Sequence, residues 1–174
     1  MHIGEIIKAD CANGTGLRLS LFVSGCTIHC KGCFQPQTWD FNYGHEYTQE
    51  IEDKLIEELS KPFYEGMTIL GGEPFEPQNQ KEISILINRI KTVLPQKTIW
   101  MFTGFVYDRD LVPGGKRYVD VTDYILDNID VLVDGPFTQE LRNISLNFRG
   151  SENQRIIDMR KTRAEGKVVL SPLN

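Results

Sequence analysis

The chain has 174 residues, of which 40% are hydrophobic and 25% are charged, and its formal net charge is −5 at pH 7. These are globular values, and the length suits one domain rather than two. The acidic balance argues against a nucleic-acid-binding surface, which would be basic, but it leaves room for a local anion site. No apolar run approaches the roughly 18 residues of a membrane span, and residues 1–16 lack a signal-peptide pattern. We therefore expect a cytoplasmic protein with no nucleic-acid or membrane partner.

The first predicted elements are a strand, a helix and a second strand. Apolar side chains alternate along residues 16–24, which predicts a strand that runs straight into the cysteine-rich stretch 25–33. Residues 47–61 carry apolar side chains at helical spacing, with acidic residues near the start, where the helix dipole favours them. Met67–Leu70 is typical of a short buried strand, and two glycines stop it.

The clearest helical pattern covers residues 79–94, where five apolar side chains form one stripe. Asn79 is expected to cap this helix, and Pro95 ends it. A strand, a helix and a strand follow at residues 97–104, 121–129 and 131–136. The pattern then weakens, with two short strands predicted within 146–159 and a last one within 167–174.

The alternation of strands and helices predicts an α/β fold of parallel strands joined by right-handed crossover helices. A complete barrel of eight such units takes about 250 residues, so this chain can build only a partial barrel or an open sheet. Ligands bind at the carboxyl ends of the strands in both architectures. Four notable segments follow predicted strands, and we expect them to meet at one rim: residues 25–33, 71–74, 103–104 and 134–136.

Three of the four cysteines, Cys26, Cys30 and Cys33, lie within eight residues as C-x3-C-x2-C. In a reducing compartment such a cluster is more typical of metal binding or redox chemistry than of disulfides. A structural zinc site is normally closed by four protein ligands, which here would add His29, Cys11 or His45. An iron–sulfur cubane held by only three cysteines would instead keep one iron open to an exchangeable ligand.

The cysteine motif after the first predicted strand and "GGEP" (71–74) after the second resemble the radical S-adenosylmethionine (SAM) enzymes. In that family the triad holds a [4Fe–4S] cluster, and the amino and carboxylate groups of SAM chelate the fourth iron. One electron from the reduced cluster breaks a C–S bond of SAM and forms a 5′-deoxyadenosyl radical. The resemblance implies a radical-SAM-type partial (incomplete) βα barrel over residues 1–158, with residues 159–174 as a tail of unassigned structure.

A narrower resemblance rests on "LFVSGCTIHCKGCFQPQTWDF", "LGGEPFEPQN", "IWMFTGF", "VLVDGPF" and "FRGSENQRIID". In order and spacing these segments are similar to the activating components of anaerobic (class III) ribonucleotide reductase. Members of that family take a hydrogen atom from a glycine of the reductase, which leaves a glycyl radical there. The implied partners are the large subunit of the reductase, through its glycine loop, and a low-potential flavoprotein or ferredoxin that donates electrons.

The resemblance also implies site residues. The expected cluster ligands are Cys26, Cys30 and Cys33. The expected SAM-binding residues are Gly32, Cys33, Phe34, Gly71, Gly72, Glu73, Thr103, Asp134, Ser151 and Asn153, with Arg149 beside the last two. Among these, Phe34 and the Gly32 backbone would cover the adenine, and Glu73 would accept a hydrogen bond from the amino group of SAM. No protein side chain is expected to be catalytic beyond the cluster and SAM.

Simpler interpretations stand beside these assignments. Gly71-Gly72 is also typical of a plain turn, Asp134 of a turn acid before Gly135-Pro136, and 149–155 of a solvated loop. Cys11 is expected to be a free buried cysteine. Trp39 and Phe41 are either core or an apolar lip for the glycine loop. The chain could also act on another glycyl-radical enzyme or a small molecule, or be a non-catalytic zinc module.

Overall fold

The computed structural model describes all residues 1–174 and contains seven strands and five helices. The strands are β1 (His2–Asp10), β2 (Arg18–Val23), β3 (His45–Glu46), β4 (Gly66–Gly71), β5 (Thr98–Phe102), β6 (Val131–Asp134) and β7 (Arg155–Asp158). The helices are α1 (Gln49–Leu59), α2 (Pro77–Val93), α3 (Tyr107–Asp110), α4 (Thr122–Asn128) and α5 (Met159–Glu165). Single 3₁₀ turns lie at Pro36–Trp39 and Gln139–Leu141. None of the helices is both long and apolar enough to pass through a bilayer.

The strands form one mixed sheet in the order β3-β1-β2-β4-β5-β6-β7. The four central strands β2, β4, β5 and β6 are parallel, which confirms the predicted α/β class and crossover pattern. Both edges are antiparallel, with β1 and β3 on one side and β7 on the other. The sheet is therefore parallel only in its middle, from which the four segments predicted to meet at one rim emerge.

The strand β1 has no counterpart among the predicted elements. Its pairing with β2 is interrupted by register shifts between Ile3 and Glu5 and between Ile7 and Asp10. Each irregularity reverses the face to which the next side chains point, so the strict period of two that marks a strand is lost. Near the other end of the chain, only Arg155–Asp158 of the weak region 146–159 is a strand, and 167–174 contributes a single bridge at Leu170.

The two faces of the sheet differ. On one face, Leu19, Leu21 and Val23 of β2 join a buried apolar cluster with side chains of α1, α2, α4 and α5. On the other face, the alternate residues Arg18, Ser20 and Phe22 point away from the helices. This second face has its own small apolar cluster around Trp100, and it also forms part of the wall of a cavity.

Ile87→Ala is expected to destabilise the protein by about 2–5 kcal/mol, because a fully buried side chain of α2 is replaced by a cavity. Ile85→Ala is the matched control, since Ile85 lies on the same helix but is 50% exposed. Urea unfolding of the apoprotein measures both. Equal losses of stability in the two variants would contradict the placement of the core.

Candidate functional site

One cavity of about 710 Å³ opens at the carboxyl ends of the parallel strands. Its lining includes all three clustered cysteines, Gly71–Glu73 at the end of β4, Thr103 and Gly104 after β5, and Gly135 after β6. The four segments predicted to meet at one rim do line one cavity. Its size lies within the roughly 300–1,000 Å³ typical of small-molecule and cofactor sites.

The cysteine loop is fixed at its base by backbone hydrogen bonds. The Gly25 amide donates to the Thr38 carbonyl at 2.8 Å, and the Gly25 carbonyl accepts from the Glu73 amide at 2.8 Å. Gly25 has a φ of +93°, and a β-carbon there would collide with the Phe41 ring, so only glycine fits. Phe41 thus packs against the base of the loop, and Trp39 lines the cavity itself.

The three cysteines are free thiols of unequal exposure. Cys26 is buried, whereas Cys30 and Cys33 are partly exposed. Burial raises the pKa of Cys26 to about 11, and it raises the pKa of Cys30 as well. Thiolates in such a site need a metal to hold the negative charge, because only the deprotonated sulfur is a good ligand.

The donor set suits a cluster with several irons. Three cysteines around one cavity are the usual soft ligands of an iron–sulfur cluster, which takes them at separate corners. The cavity wall also contains Trp39 and Arg149, whose buried Nε1 and Nε atoms have no hydrogen-bond partner. Arg117 Nε, outside the cavity, is a third buried donor without a partner.

Glu73 is the fully buried acid of the cavity. Its carboxylate accepts hydrogen bonds from the Phe75 amide at 2.9 Å, the Thr103 hydroxyl at 2.7 Å and the Gly104 amide at 2.8 Å. Burial raises the pKa of Glu73 to about 7, although these donors act in the opposite direction. Thr103 also accepts from the Phe105 amide, so its hydroxyl is held in place to donate to Glu73.

The two glycines at the end of β4, Gly71 and Gly72, allow close contact between backbone segments. A β-carbon on Gly72 would lie 2.7 Å from the Gly25 carbonyl oxygen and 2.9 Å from that of Thr38. The backbone of Gly72 therefore packs closely against the base of the cysteine loop. It brings Glu73 to the same side of the cavity as the cysteines.

Phe34 lines the cavity at its solvent-exposed side. Its ring is 68% exposed and lies 5.2 Å from the ring of Phe137, and the Arg142 guanidinium lies 5.8 Å from it. Gly32 adopts a φ of +76° beside Gln139 and does not line the cavity. The two residues that flank Cys33 therefore have different surroundings.

Three other predicted residues lie behind the wall rather than in it. The Asp134 carboxylate pairs with Arg155 at 2.5 Å and accepts from the Tyr107 amide at 2.8 Å. Ser151 accepts from the Thr138 amide at 3.1 Å, and Asn153 donates to the Pro136 carbonyl at 2.8 Å. Their bonds hold the segments that carry Gly135, Phe137 and Gly150 into the cavity.

Two predictions about side chains are wrong. Asn79 is not the cap of α2, which begins at Pro77 with Glu76 as N-cap; proline at the first helical position was the available signal. Asn79 is instead buried and donates to the carbonyls of Ser24 and Glu73, which joins the two loops. Cys11 is exposed rather than buried, because it follows β1 at the open edge of the sheet.

Comparison with known proteins bears on this geometry. Residues 12–157 match the family model described as a 4Fe-4S single cluster domain, and this span includes the three clustered cysteines. The chain is 40% identical over 156 residues to the anaerobic ribonucleoside-triphosphate reductase-activating protein of Vibrio cholerae, covering 88% of this chain and 96% of that protein. The chain belongs to the family of anaerobic ribonucleoside-triphosphate reductase-activating proteins.

Other activating proteins of this family are similar over most of the chain. The one from Salmonella typhimurium is 39% identical over 162 residues, covering 92% of this chain and all of that protein. The one from Enterobacteria phage T4 is 36% identical over 156 residues, covering 90% and 93%. The family model confirms an iron–sulfur cluster domain, and it favours the cubane interpretation of the cysteine motif over zinc.

Proposed function

We propose that this protein cleaves SAM and generates a glycyl radical on anaerobic ribonucleotide reductase. The observation that carries the proposal is the cavity that three cysteines share with the buried acid Glu73. Support for the target comes from the relatives, which are named activating proteins of this reductase. The open face of the sheet over residues 1–158 would be the inner wall of a partial barrel.

Cys26, Cys30 and Cys33 would hold three irons of one [4Fe–4S] cluster. Cys11, the remaining cysteine, is exposed and does not line the cavity, so it is poorly placed to complete the ligand set. When bound, the cluster would supply one electron for cleavage of SAM to methionine and a 5′-deoxyadenosyl radical, which would take a hydrogen atom from the glycine. The part of the protein is to hold, orient and shield these groups.

Glu73 would orient the methionine end of SAM. Oε1 of its carboxylate already accepts two hydrogen bonds, whereas Oε2 accepts only the one from Gly104. Since a carboxylate oxygen has room for two donors, Oε2 can accept a further bond from the amino group of SAM. Thr103 would support this geometry without touching SAM.

The remaining groups of SAM would contact Arg149 and the aromatic side chains of the cavity wall. Arg149, which lines the cavity, would donate to the methionine carboxylate or to the ribose of SAM. Phe34 and Phe137 would cover the adenine. Gly32, Asp134, Ser151 and Asn153 would act by holding the surrounding loops.

The exposed apolar residues at the cavity mouth would receive the glycine loop of the large subunit. Ile144 is 90% exposed and lines the same cavity as Phe34. A low-potential flavoprotein or ferredoxin would deliver the electron to the cluster.

The experiment mixes the protein, SAM, a low-potential reductant and anaerobic reductase without oxygen. We expect a glycyl doublet in the electron paramagnetic resonance (EPR) spectrum and formation of 5′-deoxyadenosine. The nucleoside without the doublet would mean that the target is another glycyl-radical enzyme or a small molecule. If protein with a fully loaded cluster gives neither the doublet nor 5′-deoxyadenosine, the proposal of SAM cleavage is refuted.

A further inference from the structure

The buried carboxylate of Glu76 and the partly exposed guanidinium of Arg117 both contact Thr27 in the cysteine loop. We infer that Glu76, paired with Arg117, is a positioning residue that fixes Thr27 beside Cys26 and sets the charge next to the cluster. This inference rests on the cluster assignment of the proposed function. The additional claim is that Glu76 and Arg117 help to set the reduction potential of the cluster.

Glu76 directs its carboxylate at the loop rather than at its own helix. It is only 2% exposed and is the N-cap residue of α2, yet its side chain makes no capping hydrogen bond. Instead Oε1 accepts from both the Thr27 amide at 2.8 Å and the Thr27 hydroxyl at 2.5 Å. A buried carboxylate with two such donors fixes both the backbone and the side chain of the residue that follows Cys26.

Arg117 completes the network from a distant part of the chain. Its Nη2 donates to the Thr27 hydroxyl at 2.7 Å, and its Nε lies 3.5 Å from Glu76 Oε2. The guanidinium lies over the Phe105 ring at 4.8 Å, and the Arg117 carbonyl accepts from Gln80. The segment between α3 and α4 is thereby joined to the cysteine loop.

The network also determines the local charge. The Glu76 carboxylate lies 2.8 Å from the amide nitrogen of Thr27, the residue directly after Cys26, so its charge lies close to this proposed cluster ligand. Reduction adds negative charge to a cluster, and a nearby carboxylate opposes it, whereas a nearby guanidinium favours it. Glu76 should therefore lower the reduction potential of the cluster, and Arg117 should partly offset that effect.

The test compares variants after anaerobic reconstitution, by iron content and by a potentiometric titration followed by EPR. Glu76→Gln keeps an oxygen that can accept from Thr27 but removes the charge, so we expect normal iron content and a more positive potential. Glu76→Ala removes the acceptor as well, and we expect most of the iron to be lost. Glu82→Gln, on the same helix but more exposed, is the control and should change neither quantity.

Arg117→Met keeps the inference testable even if the Glu76 variants do not load iron, because it leaves Glu76 and both of its bonds to Thr27 in place. We expect a more negative potential in this variant. An unchanged potential in Arg117→Met, or in a loaded Glu76→Gln, would overturn the inference. A wild-type protein with no [4Fe–4S] spectrum would instead refute the cluster assignment, so the two failures are distinguishable.

Discussion

Cys30→Ala is expected to abolish reductive cleavage of SAM while the apoprotein keeps its fold. Cys30 lies in the middle of the loop, is only partly buried, and makes no contact that the apolar core needs. Its removal leaves two cysteines at the cavity, which is too few for the proposed cubane, in which one iron has no protein ligand. We expect loss of the brown colour, of most of the iron and of all detectable 5′-deoxyadenosine.

The matched control is Cys11→Ala, which removes the exposed cysteine outside the cavity. It should retain iron and SAM cleavage at the wild-type level. Circular dichroism and urea unfolding of both apoproteins separate loss of the cluster from loss of the fold. Full activity in Cys30→Ala, or an inactive but folded Cys11→Ala, would contradict the ligand assignment.

Glu73→Gln is expected to weaken SAM binding by roughly 10- to 100-fold, because a hydrogen bond to a charged group contributes about 1.5–3 kcal/mol. In Glu73→Gln, the side-chain NH₂ group would replace one carboxylate oxygen. It would then face a backbone N–H group, that of Gly104 or that of Phe75, which is also a hydrogen-bond donor. Cluster assembly should be nearly unaffected, since Glu73 contacts the backbone of the cysteine loop through its own amide and not its side chain. Titration of the cluster spectrum with SAM measures the affinity, with Glu57→Gln on the exposed face of α1 as control.

The pH dependence should follow from the same residue. The pKa of Glu73 is raised from an ordinary 4.5 to about 7, so between these values the unfolded chain loses a proton that the folded apoprotein keeps. This contribution to stability is complete below about pH 4.5 and is lost as the pH rises towards 7. We expect Glu73→Gln to remove this loss, as measured by urea unfolding across that range.

SAM binding should show the opposite trend with pH. The ionised carboxylate is the stronger acceptor, so the affinity of the wild-type protein should fall as the pH is lowered through about 7. The affinity of Glu73→Gln should change less over the same range. Parallel pH profiles for the two proteins would contradict the proposed contact with SAM.

The sequence was sufficient where a single local pattern determined the structure. The central strands are short apolar runs, and α2 carries an uninterrupted stripe, so burial could be inferred from spacing alone. The cysteine motif likewise depends on eight consecutive residues. The convergence of the four loops followed from a general property of parallel strands and needed no knowledge of side-chain contacts.

The sequence was insufficient where distant residues determine the environment. Arg18 occupies a polar position of an alternating strand, yet it is fully buried and donates to Thr68 and Met67 on β4 and to Thr98 on β5. Loops from both ends of the chain cover that face of the sheet, and alternation within one strand cannot reveal this. The contact between Arg117 and Thr27 likewise joins residues that are 90 positions apart.

The most direct test of the open iron is a Mössbauer spectrum of protein loaded with ⁵⁷Fe, recorded with and without SAM. We predict four irons per chain, of which one changes its spectral parameters when SAM is added while the other three stay nearly constant. Four irons that all remain unchanged in the presence of bound SAM would show that a protein side chain fills the fourth position, which would contradict the proposed chemistry.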